Sequence, residues 1–196
     1  MRVLIACEFS GIVRDAFIER GHQAVSCDLL PTEKPGPHYQ GDVFDIVKEQ
    51  WDLMIAHPPC TYLCVTANRS FINNPERWKN RLEAMLFVHA LLNSDIAKIC
   101  LENPVGVIST YIRKPDQYIQ PYEYGHPFSK KTGLWLKGLP KLQATDRVKP
   151  EWVIPPSGRR MSKIHAMHPS TNNAENAKLR SRTCEGIANA MADQWG

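Results

Sequence analysis

Met1-Arg-Val-Leu-Ile-Ala-Cys7-Glu8-Phe9-Ser10-Gly11-Ile-Val-Arg-Asp-Ala-Phe-Ile-Glu-Arg20 is the stretch that decides the fold class. Residues 2–7 are a short apolar run rich in branched side chains, which predicts a buried strand. Residues 8–11 read as a turn. Residues 12–20 then take helical spacing, with Ile12, Ala16 and Phe17 on one face and Gly21 as the stop. A strand, a tight turn and a helix within twenty residues begin an alternating α/β chain. The alternation continues outward from there. Residues 23–27 predict a second strand ending in Asp28, followed by a proline-rich loop over 29–39. Residues 41–44 predict a short third strand or the end of one. Residues 51–57 predict a fourth, stopped by Pro58 and Pro59. Residues 61–74 have no period and predict a loop. Pro75 opens the longest helix, to about Leu92, with Trp78, Leu82, Met85, Leu86 and Leu92 as its inward face. Residues 97–101 predict a fifth strand ending at Glu102-Asn103-Pro104, and 105–112 a further helix. Residues 132–136 predict a late strand, 138–180 an irregular region, and 182–195 a closing amphipathic helix with Ile187, Met191 and Trp195 four residues apart.

Strands alternating with helices imply a mostly parallel, twisted sheet covered by helices on both faces. In such sheets ligands bind at the carboxyl ends of the strands. Here those ends carry residues 8–11, Asp28, Asp42, Pro58-Pro59-Cys60 and Glu102. The 196 residues suffice for one domain with a full core, and no internal repeat or low-complexity segment divides them.

Composition narrows the function. Hydrophobic residues make up 43% and charged residues 22%, as in ordinary globular proteins. The apolar run at residues 3–7 is too short for a signal peptide or a membrane span, so a cytoplasmic location is expected. In a reducing compartment the six cysteines are not expected to form a disulfide framework. The net charge of +4 is unevenly spread. Residues 1–98 hold 10 Lys+Arg against 12 Asp+Glu, whereas residues 99–196 hold 14 against 8. A one-sided basic region suits a polyanion such as nucleic acid; a solvated mixed-charge surface is the plainer reading.

The strand–turn–helix at 3–20 has a glycine and a free helix N-terminus that can face a nucleotide-like cofactor, but neither G-x-G-x-x-G nor a P-loop. Asp28 can accept hydrogen bonds from ribose hydroxyls, although any α/β protein places polar residues at strand ends. Pro58 and Pro59 fix the backbone so that the next side chain, Cys60, is held at the strand end. It is either a positioned nucleophile, which calls for some influence lowering its pKa, or a loop cysteine. Glu102, closing the next strand, can hydrogen-bond a ring nitrogen or can simply favour a helix start. A zinc site is not expected. Cys60 and Cys64 are four apart beside His57 without a second ligand pair, and the deaminase pattern H-x-E with P-C-x-x-C is missing.

In their order these pieces resemble the carbon-5 cytosine methyltransferases, and the match spans nearly the whole chain. Glu8-Phe9-Ser10-Gly11 is similar to the family's cofactor turn, Asp28 to its ribose-binding acid, and Asp42-Val43 to the pair contacting the cofactor adenine. Pro58-Pro59-Cys60 is similar to its catalytic motif, Glu102-Asn103-Pro104 to its Glu-Asn-Val motif, and Arg182-Thr183 with residues 186–192 to its final helix. Short proteins of this kind resemble phage or prophage modification enzymes. The resemblance implies a Rossmann-like class I methyltransferase fold with S-adenosylmethionine as cofactor. It implies that Cys60 adds to carbon 6 of cytosine while Glu102 binds ring nitrogen 3, and that carbon 5 takes the methyl group. On duplex DNA the base must first leave the stack.

Three departures stand out. Thr61 replaces the usual Gln after the cysteine. Lys130-Lys131-Thr132 is the nearest equivalent of an arginine-bearing motif. Only about residues 137–180 stand where the family has a large target-recognition region, little for base-edge readout. Arg159, Arg160, Lys163, Arg180 and Arg182 are expected to hold phosphates. The same chemistry on a free cytosine nucleotide such as dCMP, or a non-catalytic DNA- or protein-binding module, are the alternatives.

Overall fold

A computed structural model describes residues 1–155, 158, 160–167 and 174–196, with the backbone alone for 66, 67, 165, 167 and 174. Seven strands form one sheet: β1 (Arg2–Ala6), β2 (Gln23–Asp28), β3 (His38–Gln40), β4 (Leu53–Ala56), β5 (Lys98–Pro104), β6 (Gln117–Ile119) and β7 (Thr132–Lys137). Their spatial order is β3-β2-β1-β4-β5-β7-β6. The first five are parallel neighbours, and β7 runs antiparallel between β5 and β6. The helices are α1 (Ile12–Glu19), α2 (Val43–Ile46), α3 (Pro75–Leu92), α4 (Ile108–Tyr111), α5 (Lys163–Met167), α6 (Ala174–Ser181) and α7 (Glu185–Trp195). A two-stranded ribbon, β8 (Trp152–Val153) with β9 (Met161–Ser162), stands apart from the main sheet.

The expected Rossmann-like α/β fold is the one observed. The alternation within β1 shows why. Val3 and Ile5 point to one core with Phe17 of α1 and Ile187, Met191 and Trp195 of α7. Leu4 and Ala6 point to the other with Val88 and Leu91 of α3 and Ile108 of α4. A strand apolar on both faces is stable only when both are covered. Among the described residues no helix is long and apolar enough to cross a membrane.

Several expectations are corrected. The third strand lies at His38–Gln40, not at 41–44. Asp42 instead caps α2, its carboxylate accepting from the Phe44 amide at 2.9 Å, and a side-chain cap starts a helix. Residues 65–71, expected as loop, form a 3-10 helix. Strand β5 runs on through Glu102, Asn103 and Pro104, because β7 pairs with it as far as Pro104 opposite Thr132. The region 138–180 carries β8, β9, α5 and α6 rather than irregular chain alone.

The inward face of α3 also differs. Trp78, Leu82 and Leu86 are 45, 57 and 69% exposed, while Arg81, Val88 and Leu91 are buried. Arg81 goes inward because it has partners there. Its guanidinium lies 3.5 Å over the Phe71 ring and donates to the Tyr62 carbonyl at 2.8 Å and to Asn68 at 2.9 Å. A buried charge is tolerated when hydrogen bonds and a ring face compensate its lost hydration, as they do here.

Candidate active site

Turns at the carboxyl ends of β1, β2 and β4 enclose a cleft of about 610 Å³. Four predicted cofactor residues line it: Asp28, Asp42, Val43 and Pro58. Leu29 and Phe87 add apolar wall. Carboxylates beside flat apolar surface suit a ligand with hydroxyl donors at one end and an aromatic ring at the other. Cys7, at the rim, holds a positive φ of 58°, an uncommon backbone state for a residue with a side chain.

The predicted cofactor turn, Glu8 to Gly11, is not among the lining residues, and its polar groups build the turn itself. The buried Glu8 carboxylate accepts from the Val13 amide at 2.8 Å, the Arg14 amide at 3.3 Å and the Ser10 hydroxyl at 3.0 Å. That anchors the positive end of α1. Phe9 is buried beneath Lys178, whose ammonium lies 5.5 Å from the ring. Gly11 has φ 74°, and a Cβ there would stand 2.5 Å from the Arg14 guanidinium.

Behind the turn, Arg14 is fully buried. It pairs with Asp15 at 2.8 Å and donates to Ser26, Thr32 and the carbonyls of Lys34 and Pro35 at 3.1–3.3 Å. One side chain thus anchors the loop that carries Leu29 into the cleft.

Cys60 follows Pro58-Pro59 at the end of β4, half-buried, and Glu102 lies in the neighbouring β5. The two segments are cross-linked. His57 meets the Glu102 carboxylate at 2.9 Å, and Asn103 donates to the Pro58 carbonyl at 2.7 Å. Farther out, the Val107 amide donates to the Leu63 carbonyl at 2.8 Å and the Val65 amide to Val105 at 3.2 Å. Gly106 permits this approach, since a Cβ there would lie 2.1 Å from the Leu63 oxygen.

Lys130 enters from the segment before β7. Its ammonium donates to the Arg180 carbonyl at 2.8 Å and acts electrostatically on Cys60, Cys184 and Glu102. Burial opposes the charge of Glu102, but the His57 hydrogen bond, Lys130 and a hydrogen bond with Thr132 outweigh it and hold the carboxyl below its usual range. Cys60 corrects an expectation. A hydrogen bond with Cys64 and burial push its thiol well up, and Glu102 adds to this; Lys130 alone pulls it down. Removing that cation therefore raises the Cys60 pKa further and lowers its thiolate fraction at any given pH. Lys130→Met is expected to move the pH profile of Cys60 alkylation by iodoacetamide to higher pH, followed by mass spectrometry of the Cys60 peptide. An unshifted profile refutes the role of Lys130.

The other predicted basic contacts separate. Thr132 is buried against Glu102 and donates to the Lys130 carbonyl at 2.9 Å, so it joins the Cys60–Glu102 cluster. Lys131 lies over Tyr118 at 4.3 Å, and Arg160 over Trp152 at 4.3 Å. Arg182 pairs with Glu33 at 2.8 Å, and Lys163 with Glu151 at 2.5 Å. Arg159 lies outside the described residues. His57, Asn103 and Arg14 are the residues whose roles sequence reasoning missed. His57 alone carried a usable signal, because it sits on the same proline-stopped strand end that singles out Cys60.

No family model matches the chain, and no curated protein matches it. Among solved structures, the chain is similar to one described as a candidate DNA modification methyltransferase encoded within an E. coli prophage, with a TM-score of 0.49 and 14% identity. The match covers 76% of this chain and 53% of that one, so the chain spans about half the length of that protein.

Proposed function

We propose that this chain is an S-adenosylmethionine-dependent methyltransferase acting on carbon 5 of cytosine in DNA. The observation that carries the reading is the juxtaposed ends of β4 and β5, where Cys60 and Glu102 are held by the His57–Glu102 and Asn103–Pro58 hydrogen bonds next to the cleft. The cleft suits the cofactor: Asp28 and Asp42 can take hydroxyl donors, and Val43, Leu29 and Phe87 can flank an adenine. When bound, the cofactor supplies an electrophilic methyl group.

Every other part falls to the chain's own side chains. Cys60, as thiolate, forms a bond from Sγ to carbon 6 of the ring. As the bond forms, ring nitrogen 3 takes up a proton from solvent, which it gives back when the ring is restored; Glu102, kept ionised, accepts the hydrogen bond of that N–H and stabilises the adduct. Carbon 5 gains the methyl group and loses its proton to a base, and the electron pair returning to the ring expels Cys60. Lys130 favours the thiolate before attack.

Incubation with methyl-labelled cofactor and either DNA or dCMP tests the reading, with nucleoside mass spectrometry of the product. Label is expected in DNA as 5-methylcytosine. Label in dCMP alone would replace the polymer substrate with the free nucleotide, and label in neither overturns the proposal.

A further inference from the structure

We propose that His57 is a positioning residue for Glu102, holding that carboxylate in the orientation from which it meets the substrate ring. The inference rests on the reading of Cys60 and Glu102 as the catalytic pair. His57 and Glu102 side chains are 8 and 14% exposed, and Nδ1 of His57 lies 2.9 Å from Oε2 of Glu102. An ionised carboxylate only accepts, so the proton of this bond sits on Nδ1. The other nearby polar group, the Thr183 hydroxyl, is at 3.5 Å, too far to compete. The second ring nitrogen, Nε2, is buried without a partner among the described residues. A ring that leaves one nitrogen unsatisfied while the other meets a carboxylate is held by that carboxylate.

The alternative support for Glu102 is weaker. The single hydroxyl proton of Thr132 can go to Glu102 or to the Lys130 carbonyl at 2.9 Å, not to both. Lys130 is a mobile point charge and fixes no angle. His57 is rigidly placed: its amide donates to the Ala6 carbonyl at 2.9 Å, extending the β1–β4 ladder, and Pro58 follows. Four consecutive residues, His57 to Cys60, thus carry both the thiol and the donor that aims its partner. Around Glu102 the titratable groups are His57, Lys130, Cys60, Cys100 and Cys184. His57 and Lys130 hold its pKa down, so loss of His57 lets burial raise it.

The experiment compares the wild type with His57→Ala, His57→Asn and His57→Gln in methyl transfer to DNA across pH, with thermal melts for folding. Asparagine can place an amide N–H where Nδ1 stood, and glutamine places it nearer Nε2. His57→Ala is expected to lower kcat about 10- to 100-fold with KM little changed. Its acid limb is expected at higher pH, because Glu102 protonates earlier on acidification. His57→Asn should recover most of the rate and the wild-type limb, and His57→Gln should not. An unshifted acid limb in folded His57→Ala, or equal rates for the Asn and Gln variants, overturns the proposal. If His57→Ala does not fold, the Asn–Gln comparison decides alone. An inactive wild type overturns the catalytic reading and this inference with it, whereas an active wild type with an indifferent His57 removes the inference only.

Discussion

Cys60→Ser is expected to abolish methyl transfer, lowering the rate by about 10³-fold or more, while leaving the melting temperature nearly unchanged. The size follows from the proposed role: a group that forms the covalent bond has no substitute, and loss of such nucleophiles is among the largest single-residue effects in enzymes. The hydroxyl of serine has nearly the shape of the thiol but is a far poorer nucleophile at neutral pH. Cofactor affinity should survive, because Cys60 lies outside the residues that line the cleft. A DNA substrate carrying 5-fluorocytosine sharpens the test. Fluorine at carbon 5 cannot leave as a proton does, so the wild-type protein should stay bonded to the DNA and migrate as a heavier denatured species. Cys60→Ser should give no such species. Full activity in Cys60→Ser, or a trapped adduct mapped to another cysteine, refutes the assignment.

Arg14→Met is expected to produce the largest loss of stability, about 3 kcal/mol. The stem and volume survive, so the loss isolates the guanidinium. Its removal leaves the Pro35 carbonyl without its donor and Asp15 without its cation, and takes one of two donors from the Lys34 carbonyl, which keeps only the Thr32 hydroxyl. Asp15 is 30% exposed and partly recovers hydration, which keeps the effect at the lower end of the range for broken buried pairs. Against a total stability of about 5–15 kcal/mol, this is a large fraction. Urea denaturation measures it. Limited proteolysis should also cut first within residues 29–37, the loop that Arg14 anchors. A midpoint equal to the wild type, with an unchanged cleavage pattern, would show that other contacts hold the loop.

The same residue shows where sequence reading stops. Val3, Ile5, Leu53 and Ile55 announce themselves as strand, because unbroken apolar runs belong in sheets covered on both sides. Periodicity assigns arginine to the surface, so it places neither Arg14 nor Arg81 inside, and on α3 it turns Trp78, Leu82 and Leu86 inward in place of Arg81. A buried guanidinium is settled by partners far along the chain, which no local window contains. Asp42 differs in another way: the sequence presents it as a strand end, whereas its cap bond to Phe44 starts a helix, and it lines the cleft.

At the candidate site, local features single out Cys60 and Glu102 in the sequence, a double proline and a strand end, and the structure sets those strand ends side by side. The contact between His57 and Glu102 spans 45 residues, and Lys130 reaches both from a segment later still. Such relations follow from the strand order, with β4 beside β5 and β7 antiparallel to β5. Local patterns do not encode that order, since three-residue β6 leaves no pattern of its own.

The seam between the segments after β4 and β5 has a mechanical consequence. Bonds at Pro58–Asn103, His57–Glu102, Leu63–Val107 and Val65–Val105 make the thiol and the carboxylate parts of one stiff jaw. Motion there is expected to shift the two together, so on the proposed mechanism their alignment is set when the chain folds rather than at each turnover. The wall that carries Leu29 is held differently, by side chains from several elements: Arg14 reaches the Lys34 and Pro35 carbonyls, Arg182 pairs with Glu33, and His38 and Gln40 meet the Leu30 and Leu29 carbonyls.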